Sequence, residues 1–159
     1  MTLSLARRAA LWGDRPAVVD PEAGETLTYA DLAGRVEAAA GRLAASGVDP
    51  GDRLVVLARN GVDVLALLFA ARRRGATLAP VSFRLAADTV TQLVDRIGPE
   101  LVVAEPDFGD LVTDVDPEVV TPAAFQAREP VADADGSSDA APLFLHTGGA
   151  TGVPKGVPI

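Results

Sequence analysis

The stretch RLVVLARNGVDVLALLFAARRRGATLAPV, residues 53–81, decides the fold. It begins with a β-rich run, 53–58, which predicts a buried strand. Asn60-Gly61 then turns the chain into a run of helical length, 62–74, that is apolar nearly all round and predicts a helix in the interior. A further strand is expected over 77–81. Strand, helix and strand at this spacing predict a right-handed crossover between parallel strands.

The same alternation continues on both sides of this stretch. On the N-terminal side it predicts two short strands and then a helix that begins with a capping box, in which Thr28 is the N-cap and Asp31 reaches back. The further predicted elements are strands at 17–20, 25–28, 101–104 and 143–146 and helices at 28–46 and 86–97. The predicted fold class is therefore α/β, with a layered, largely parallel sheet and flanking helices.

Three arginines, at positions 72–74, end the central helix directly before Gly75. Such a cluster is compatible with an anion site. We favour the simpler interpretation, in which cations in the last turn interact with the helix dipole and the glycine ends the helix.

Residues 106–142 differ in composition from the rest, being rich in Asp, Ala, Pro and Ser. Within them, 133–142 contains three acids and no base. We interpret 106–142 as a variable, solvated connecting segment inside one domain, with one short strand at 119–120.

Composition argues against several classes of protein. The 159 residues carry 14 Lys and Arg against 22 Asp and Glu, a net charge of −8, which disfavours a nucleic-acid partner. The absence of cysteine excludes a disulfide framework and a thiolate metal site. No signal-peptide pattern opens the chain, and its longest apolar run, 62–71, is shorter than the roughly 20 residues of a membrane span. We therefore expect a cytoplasmic protein without a membrane span.

Lysine is used once. Of the 14 basic residues 13 are Arg, and the single exception is Lys155. Arg presents a planar fork and Lys a compact charge on a flexible stem, so a solitary lysine can mark a position where Arg is not equivalent. Chance is the alternative for one residue, and the neighbouring residues decide between the two.

This lysine follows a loop rich in glycine and threonine, TGGATGVPKG, residues 147–156. Glycines let backbone N–H groups converge on an anion, threonine hydroxyls add donors, and Lys155 adds charge. The loop fits neither the Walker A pattern, because Pro154 and Gly156 flank the lysine, nor the dinucleotide fingerprint. From the residues alone, a phosphate site and a simple turn-forming glycine tract both stay open.

The segment 147–157 resembles the phosphate-loop signature of the acyl-adenylate-forming, or AMP-binding, superfamily. That superfamily includes acyl-CoA synthetases, luciferases and the adenylation domains of peptide synthetases. Segments 27–32, 47–57 and 75–80 are similar to further motifs of the family, in the same order along the chain. The element at 83–85 is most like that of acyl-CoA synthetases.

The resemblance implies a set of residues that hold the β- and γ-phosphates of ATP. These are Thr147, Gly148, Gly149, Ala150, Thr151, Gly152 and Lys155. Ala150 departs from the usual Thr or Ser, so one hydroxyl donor is missing. His146, which stands where Tyr or Phe is common, is expected to support or line a pocket at the end of a strand. The chain offers no cluster of metal ligands and no catalytic residue, and magnesium is expected to arrive with ATP.

By resemblance, the whole enzyme activates a small carboxylic acid, fatty or another acyl acid, with MgATP. The products are an acyl-adenylate and pyrophosphate, and coenzyme A then accepts the acyl group. Residues 1–159 are expected to be the N-terminal portion of the AMP-binding domain, with the rest of that domain and a lid domain beyond Ile159. The chain alone is expected to be inactive.

Three alternatives remain open at this stage. The enzyme is either a CoA ligase or an adenylation domain that loads a carrier protein. The chain alone could instead be a non-catalytic nucleotide-binding module, or only a structural or interaction fragment. Whether it forms a homodimer is also open.

Overall fold

The computed structural model describes residues 4–126, 144–147 and 155–158, the last two ranges by their backbone. The elements, in chain order, are helix α1 (Leu5–Trp12), strands β1 (Pro16–Asp20) and β2 (Glu25–Thr28), helix α2 (Tyr29–Ala45), strand β3 (Arg53–Leu57), helix α3 (Val62–Arg74), strand β4 (Thr77–Pro80), helix α4 (Ala87–Ile97), strand β5 (Leu101–Ala104), a first 3₁₀ helix (Pro106–Val112), strand β6 (Glu118–Val120), a second 3₁₀ helix (Pro122–Phe125), and strands β7 (Phe144–Thr147) and β8 (Lys155–Pro158).

A four-stranded parallel sheet organises these elements in the order β4-β3-β5-β6. The chain leaves β3 through α3 to reach β4 on one side, and then returns through α4 to β5 on the other side. Helices therefore cover both faces of the sheet. The α/β fold class and the parallel pairing predicted from residues 53–81 are confirmed.

Strand β3 lies at the centre of two hydrophobic clusters. Leu54 and Val56 belong to the cluster under α2 and α3, whereas Val55 and Leu57 belong to the cluster under α4. All four side chains are buried. Burial on both faces explains why the strand is a continuous apolar run and not an alternating one.

Helix α3 has the predicted bounds but lies on one face of the sheet, not wholly in the interior. Its inner face is buried, while its outer apolar side chains are half-buried and pack against the edge of the first cluster. The buried residues are Val62, Ala66, Leu67, Ala70 and Ala71, and the half-buried ones are Val64, Leu65, Leu68 and Phe69.

Two of the three arginines that end α3 have structural partners, in agreement with the simpler interpretation of 72–74. Arg74 donates to the carbonyl oxygen of Val48 through Nη2 at 2.8 Å, and Arg73 lies 3.5 Å from a carboxylate oxygen of Glu37. Gly75 ends the helix with φ of +72°, a left-handed conformation that favours glycine.

The predicted capping box opens α2. The Thr28 hydroxyl accepts from the Asp31 backbone N–H at 3.1 Å, and the Asp31 carboxylate accepts from the Thr28 N–H at 3.1 Å. Two N–H groups that the first turn leaves without helical partners are thereby satisfied. The helix ends at Ala45, with Ser46 as its cap.

The structure holds several elements that the sequence pattern did not predict: α1, the two 3₁₀ helices and β8. Residues 106–126 are more structured than a solvated connection. Val112 is buried in the second cluster and Phe125 in the first, so two apolar side chains anchor an otherwise polar segment to the sheet. The short strand expected at 119–120 is confirmed as part of β6. Residues 127–143 lie outside the described ranges, and the variability of 106–142 stays a prediction.

Within the described ranges, every helix is too short or too polar to cross a bilayer.

We expect Thr28→Ala to lower the free energy of unfolding by about 1 kcal/mol, because the N-cap hydroxyl is lost. Thr26→Ala, on an exposed position of β2, is the matched control and should cost less. Urea denaturation measures both values. Equal losses would contradict a special role for the capping box.

Candidate functional site

The two ends of the predicted phosphate loop are held together by a β-hairpin. Strands β7 and β8 pair antiparallel, with Leu145 opposite Val157 and Thr147 opposite Lys155. Thr147 is the last residue of β7 and Lys155 the first of β8, so their backbones meet where the loop starts and ends.

Of the predicted phosphate-binding residues, the structure therefore places the backbones of Thr147 and Lys155 and brings them together. The other five lie outside the described residues and stay predictions: Gly148, Gly149, Ala150, Thr151 and Gly152.

This hairpin lies against the main sheet. Strand β7 is close to β4, the strand at one edge of the four-stranded sheet. His146 is in β7, opposite Gly156, one position before the end of the strand. Its strand-end position agrees with the sequence analysis, whereas its expected role at a pocket stays a prediction.

A cleft of about 440 Å³ lies at the carboxyl ends of β3, β5 and β6. In open α/β sheets, ligands bind at the carboxyl ends of the strands. They bind between two neighbouring strands from which the chain continues toward opposite edges of the sheet. Here these strands are β3 and β5, which are followed by Arg59 and Glu105 respectively. Sequence analysis missed this cleft because its walls come from segments far apart in the chain.

One wall of the cleft is a hydrogen-bonded network centred on Asp63, in the first turn of α3. One carboxylate oxygen of Asp63 accepts from Arg35 Nη1 at 3.3 Å, and the other accepts from Gln126 Nε2 at 2.9 Å. Arg35 also forms an ion pair with Glu25. The network connects β2, α2, α3 and the residue that follows the second 3₁₀ helix.

The opposite wall is an ion cluster around Arg59. The Arg59 backbone N–H donates to Glu105 Oε1 at 2.8 Å, and its guanidinium contacts the carboxylates of Glu105 and Asp107. The hydrogen bond to Asp107, followed by the attraction of both carboxylates, raises the pKa of Arg59 above its usual range despite an opposing desolvation effect.

An aromatic stack extends this cluster across the sheet edge. The rings of Phe83 and Phe108 are nearly parallel, with centroids 4.3 Å apart, and the guanidinium of Arg59 lies 4.7 Å from the Phe108 centroid. Because Phe83 follows β4 and Phe108 follows β5, the stack connects the segments that leave the sheet on either side of β3.

These contacts connect the walls of the cleft to one another. Both of its arginines are paired with carboxylates. Among the residues that the structure describes, no group of three or more His, Cys, Asp or Glu is placed to hold a metal ion. We take the hairpin of β7 and β8 as the candidate functional site because it carries Thr147 and Lys155, whose phosphate-binding role stays a prediction.

The comparison with known proteins identifies the family. A family model described as AMP-binding enzyme matches residues 5–159. The chain belongs to the AMP-binding enzyme family.

The chain is also similar to individual curated proteins. A feruloyl-CoA synthase from Amycolatopsis sp is 32% identical over 161 residues, covering 91% of this chain and 32% of the relative. The fatty acid–[acyl-carrier-protein] ligase ScoC from Streptomyces coeruleorubidus is 33% identical over 145 residues, covering 84% and 28%. The chain thus spans about a third of the length of the curated relatives it matches.

A solved structure confirms the fold. The N-terminal domain of FACL13 from Mycobacterium tuberculosis, determined with an inhibitor bound, superposes with a TM-score of 0.83 at 25% identity. The match covers 98% of this chain and 42% of that domain. The family suggested by the motifs at 27–32, 47–57, 75–80 and 147–157 is therefore confirmed.

We expect Asp63→Ala to lower the free energy of unfolding by about 1 kcal/mol, because Arg35 and Gln126 both lose their acceptor. A double-mutant cycle with Gln126→Ala should give a coupling energy of about 0.5 kcal/mol. Urea denaturation provides all four values. Additive effects of the two substitutions would mean that the Asp63–Gln126 hydrogen bond does not stabilise the cleft.

Proposed function

We propose that this chain supplies the phosphate-binding part of an acid–thiol ligase of the acyl-CoA synthetase type. The enzyme would activate a carboxylic acid with MgATP to an acyl-adenylate, release pyrophosphate, and transfer the acyl group to coenzyme A. The observation that carries the proposal is the hairpin in which Thr147 lies opposite Lys155, within a chain of the AMP-binding family. The chain alone, about a third of its relatives' length, is expected to be inactive.

The proposed loop acts by positioning and by charge stabilisation. Thr147, Thr151 and Lys155, with the backbone N–H groups of the intervening glycines, would hold the β- and γ-phosphates as they leave. A hairpin supports this role because it fixes the two ends of the loop relative to each other before nucleotide binds. Interactions prearranged in this way stabilise developing charge without reorganisation during the reaction.

Magnesium would enter with ATP and neutralise part of the phosphate charge. The described residues offer no cluster of carboxylates for it, so we assign no residue of this chain to the metal. Coenzyme A would bind as the second substrate, after pyrophosphate has left.

The acid is proposed only as a class, a small carboxylic acid of the fatty or another acyl type. The two relatives described above are named for feruloyl and fatty acyl groups, which are chemically unlike each other. A family fold that serves both does not select one acid for this chain. A cytoplasmic location likewise stays a prediction.

A carrier protein is the second candidate for the thiol acceptor. One observation favours it, namely the match to a ligase that is named for an acyl-carrier protein. Thioester formation with free coenzyme A by the full-length enzyme would support the first candidate. Acyl transfer only to a phosphopantetheinylated carrier protein would support the second.

In the full-length enzyme, Lys155→Ala should reduce acid-dependent pyrophosphate–ATP exchange at least about 100-fold, because the leaving phosphates lose a charge-assisted donor. Arg96→Ala, an exposed cation at the end of α4, is the control and should leave exchange unchanged. Unchanged exchange in Lys155→Ala would remove this residue from the mechanism.

Ala150→Thr restores the hydroxyl that is usual at this position of the family. We expect the KM for ATP to fall about three- to tenfold, the equivalent of one added hydrogen bond. Ala150→Val has nearly the same shape without the hydroxyl and should show no gain. A similar change in both variants would mean that size, and not hydrogen bonding, matters at position 150.

A further inference from the structure

Helix α1 is a basic element in an acidic chain. Residues 1–15 contain one acid, Asp14, and three arginines, at positions 7, 8 and 15, whereas residues 16–159 contain 11 bases and 21 acids. Positive charge is therefore concentrated at α1 and at the turn that follows it. Such a separation of charge within one chain indicates an anionic partner for the basic part, although the net charge is −8.

The three arginines of this segment are not neutralised by carboxylates. Within residues 4–126, neither Arg7, Arg8 nor Arg15 forms an ion pair, and Arg7 and Arg15 are exposed. The two arginines of the cleft, Arg35 and Arg59, are by contrast paired with acids. An anion that approaches α1 therefore does not have to displace a carboxylate of the domain from these side chains.

Exposed apolar side chains accompany this charge. Leu11 is 58% exposed and Trp12 is 38% exposed. Both lie in the last turn of α1, a helix that has no fully buried residue and so lies on the surface of the domain. Because residues four apart share a helix face, Arg7 and Leu11 are neighbours on the outer side. The outer side of α1 thus combines cationic and apolar groups.

Contacts with the domain hold this surface in place. The Arg15 N–H donates to the carbonyl oxygen of Trp12 at 2.9 Å, and the Arg15 carbonyl accepts from the Tyr29 N–H at 3.0 Å. The rings of Trp12 and Tyr29 are 6.4 Å apart between centroids, and Leu5 packs against the first hydrophobic cluster. Helix α1 is consequently fixed to α2 before a partner binds, which lowers the entropy that binding costs.

We propose that α1 and the turn after it, residues 5–15, form a docking surface for an anionic lipid bilayer. Tryptophan is favoured at the depth of the lipid headgroups, arginine is attracted to anionic headgroups, and leucine enters the boundary of the acyl chains. A helix of eight residues lies along such a surface and does not cross the bilayer.

A protein partner fits this surface less well. A standard protein–protein interface includes about 20–30 residues on each side. The basic and apolar surface of α1 is much smaller, whereas a bilayer presents charge at high density and requires no complementary shape. The inference goes beyond the function proposed above and does not depend on it.

The test is sedimentation of the full-length enzyme with vesicles of phosphatidylcholine, with or without phosphatidylglycerol. Each basic residue near an anionic bilayer should contribute a factor of about five to the partition coefficient. At an ionic strength of about 0.1 M, we expect binding to the mixed vesicles to be at least about tenfold stronger than to phosphatidylcholine alone. This difference should disappear at about 1 M, because the Debye length falls from about 10 Å to about 3 Å.

Two charge variants locate the interaction. Arg7→Glu exchanges an attractive charge for a repulsive one and should weaken binding to the mixed vesicles at least about tenfold. Arg96→Glu changes the net charge equally at the exposed end of α4, far from α1 in the chain, and should weaken it less than about twofold. Equal losses would overturn the proposal, since they would show that only the net charge matters.

A second pair of variants tests the apolar contribution. Leu11→Ser should weaken binding about fivefold, because the side chain no longer enters the acyl boundary. Val119→Ser, on the exposed part of β6, is the matched control and should have less than about a twofold effect. Both positions are exposed, and urea denaturation checks that each variant folds as the unchanged enzyme does.

Absence of binding to the mixed vesicles would overturn the proposal, and so would equal binding to both kinds of vesicle. If the enzyme did not bind vesicles but formed a concentration-dependent dimer that Leu11→Ser abolished, the face would belong to a second copy of the chain and the proposal would be wrong. None of these results would alter the proposed function, which pyrophosphate–ATP exchange tests separately.

Discussion

The pairing of β3 with a neighbour on each side is the interaction on which the rest of the structure depends. Leu54 lies between Leu78 of β4 and Leu101 of β5 in one rung of the sheet, and all three side chains face the same cluster. In the next rung Val55 lies between Ala79 and Val102 and faces the other cluster. Strand β3 is thus hydrogen-bonded on both sides and buried on both faces. The helices on each face pack against this strand and are positioned by it.

The cleft and the hairpin of β7 and β8 lie at different places on the sheet. The cleft lies at the carboxyl edge, where the chain turns away from β3 and β5, and its two arginines form ion pairs with carboxylates. The hairpin of β7 and β8 lies beside β4, at one edge of the sheet. A crevice at the usual ligand-binding edge of an α/β sheet does not by itself identify a function, because function depends on the residues that line it.

Structural features that depend on residues close together in the chain could be predicted from the sequence, whereas contacts between distant residues could not. Helix α3, β5 and the capping box at Thr28 depend on residues a few positions apart, and all were predicted with the bounds that the structure shows. The Asp63–Gln126 hydrogen bond and the Phe83–Phe108 stack join residues far apart in the chain, so no local sequence pattern predicts them. The buried Phe125 shows the same limit, because a single aromatic residue in a polar segment gives no periodicity. For the phosphate loop, the residue types suggested anion binding, and only the family resemblance named the nucleotide.

Because the sheet separates the two clusters, consecutive residues of β3 have different neighbours. A change of volume at Val55 alters the cluster that contains Val90 and Leu93 of α4, whereas the same change at Leu54 alters the cluster that contains Leu67 of α3. The two halves of the core can therefore diverge in evolution almost independently, each compensating for its own substitutions. Related sequences should accordingly co-vary within each layer and not across the strand, although the residues concerned are adjacent in the chain.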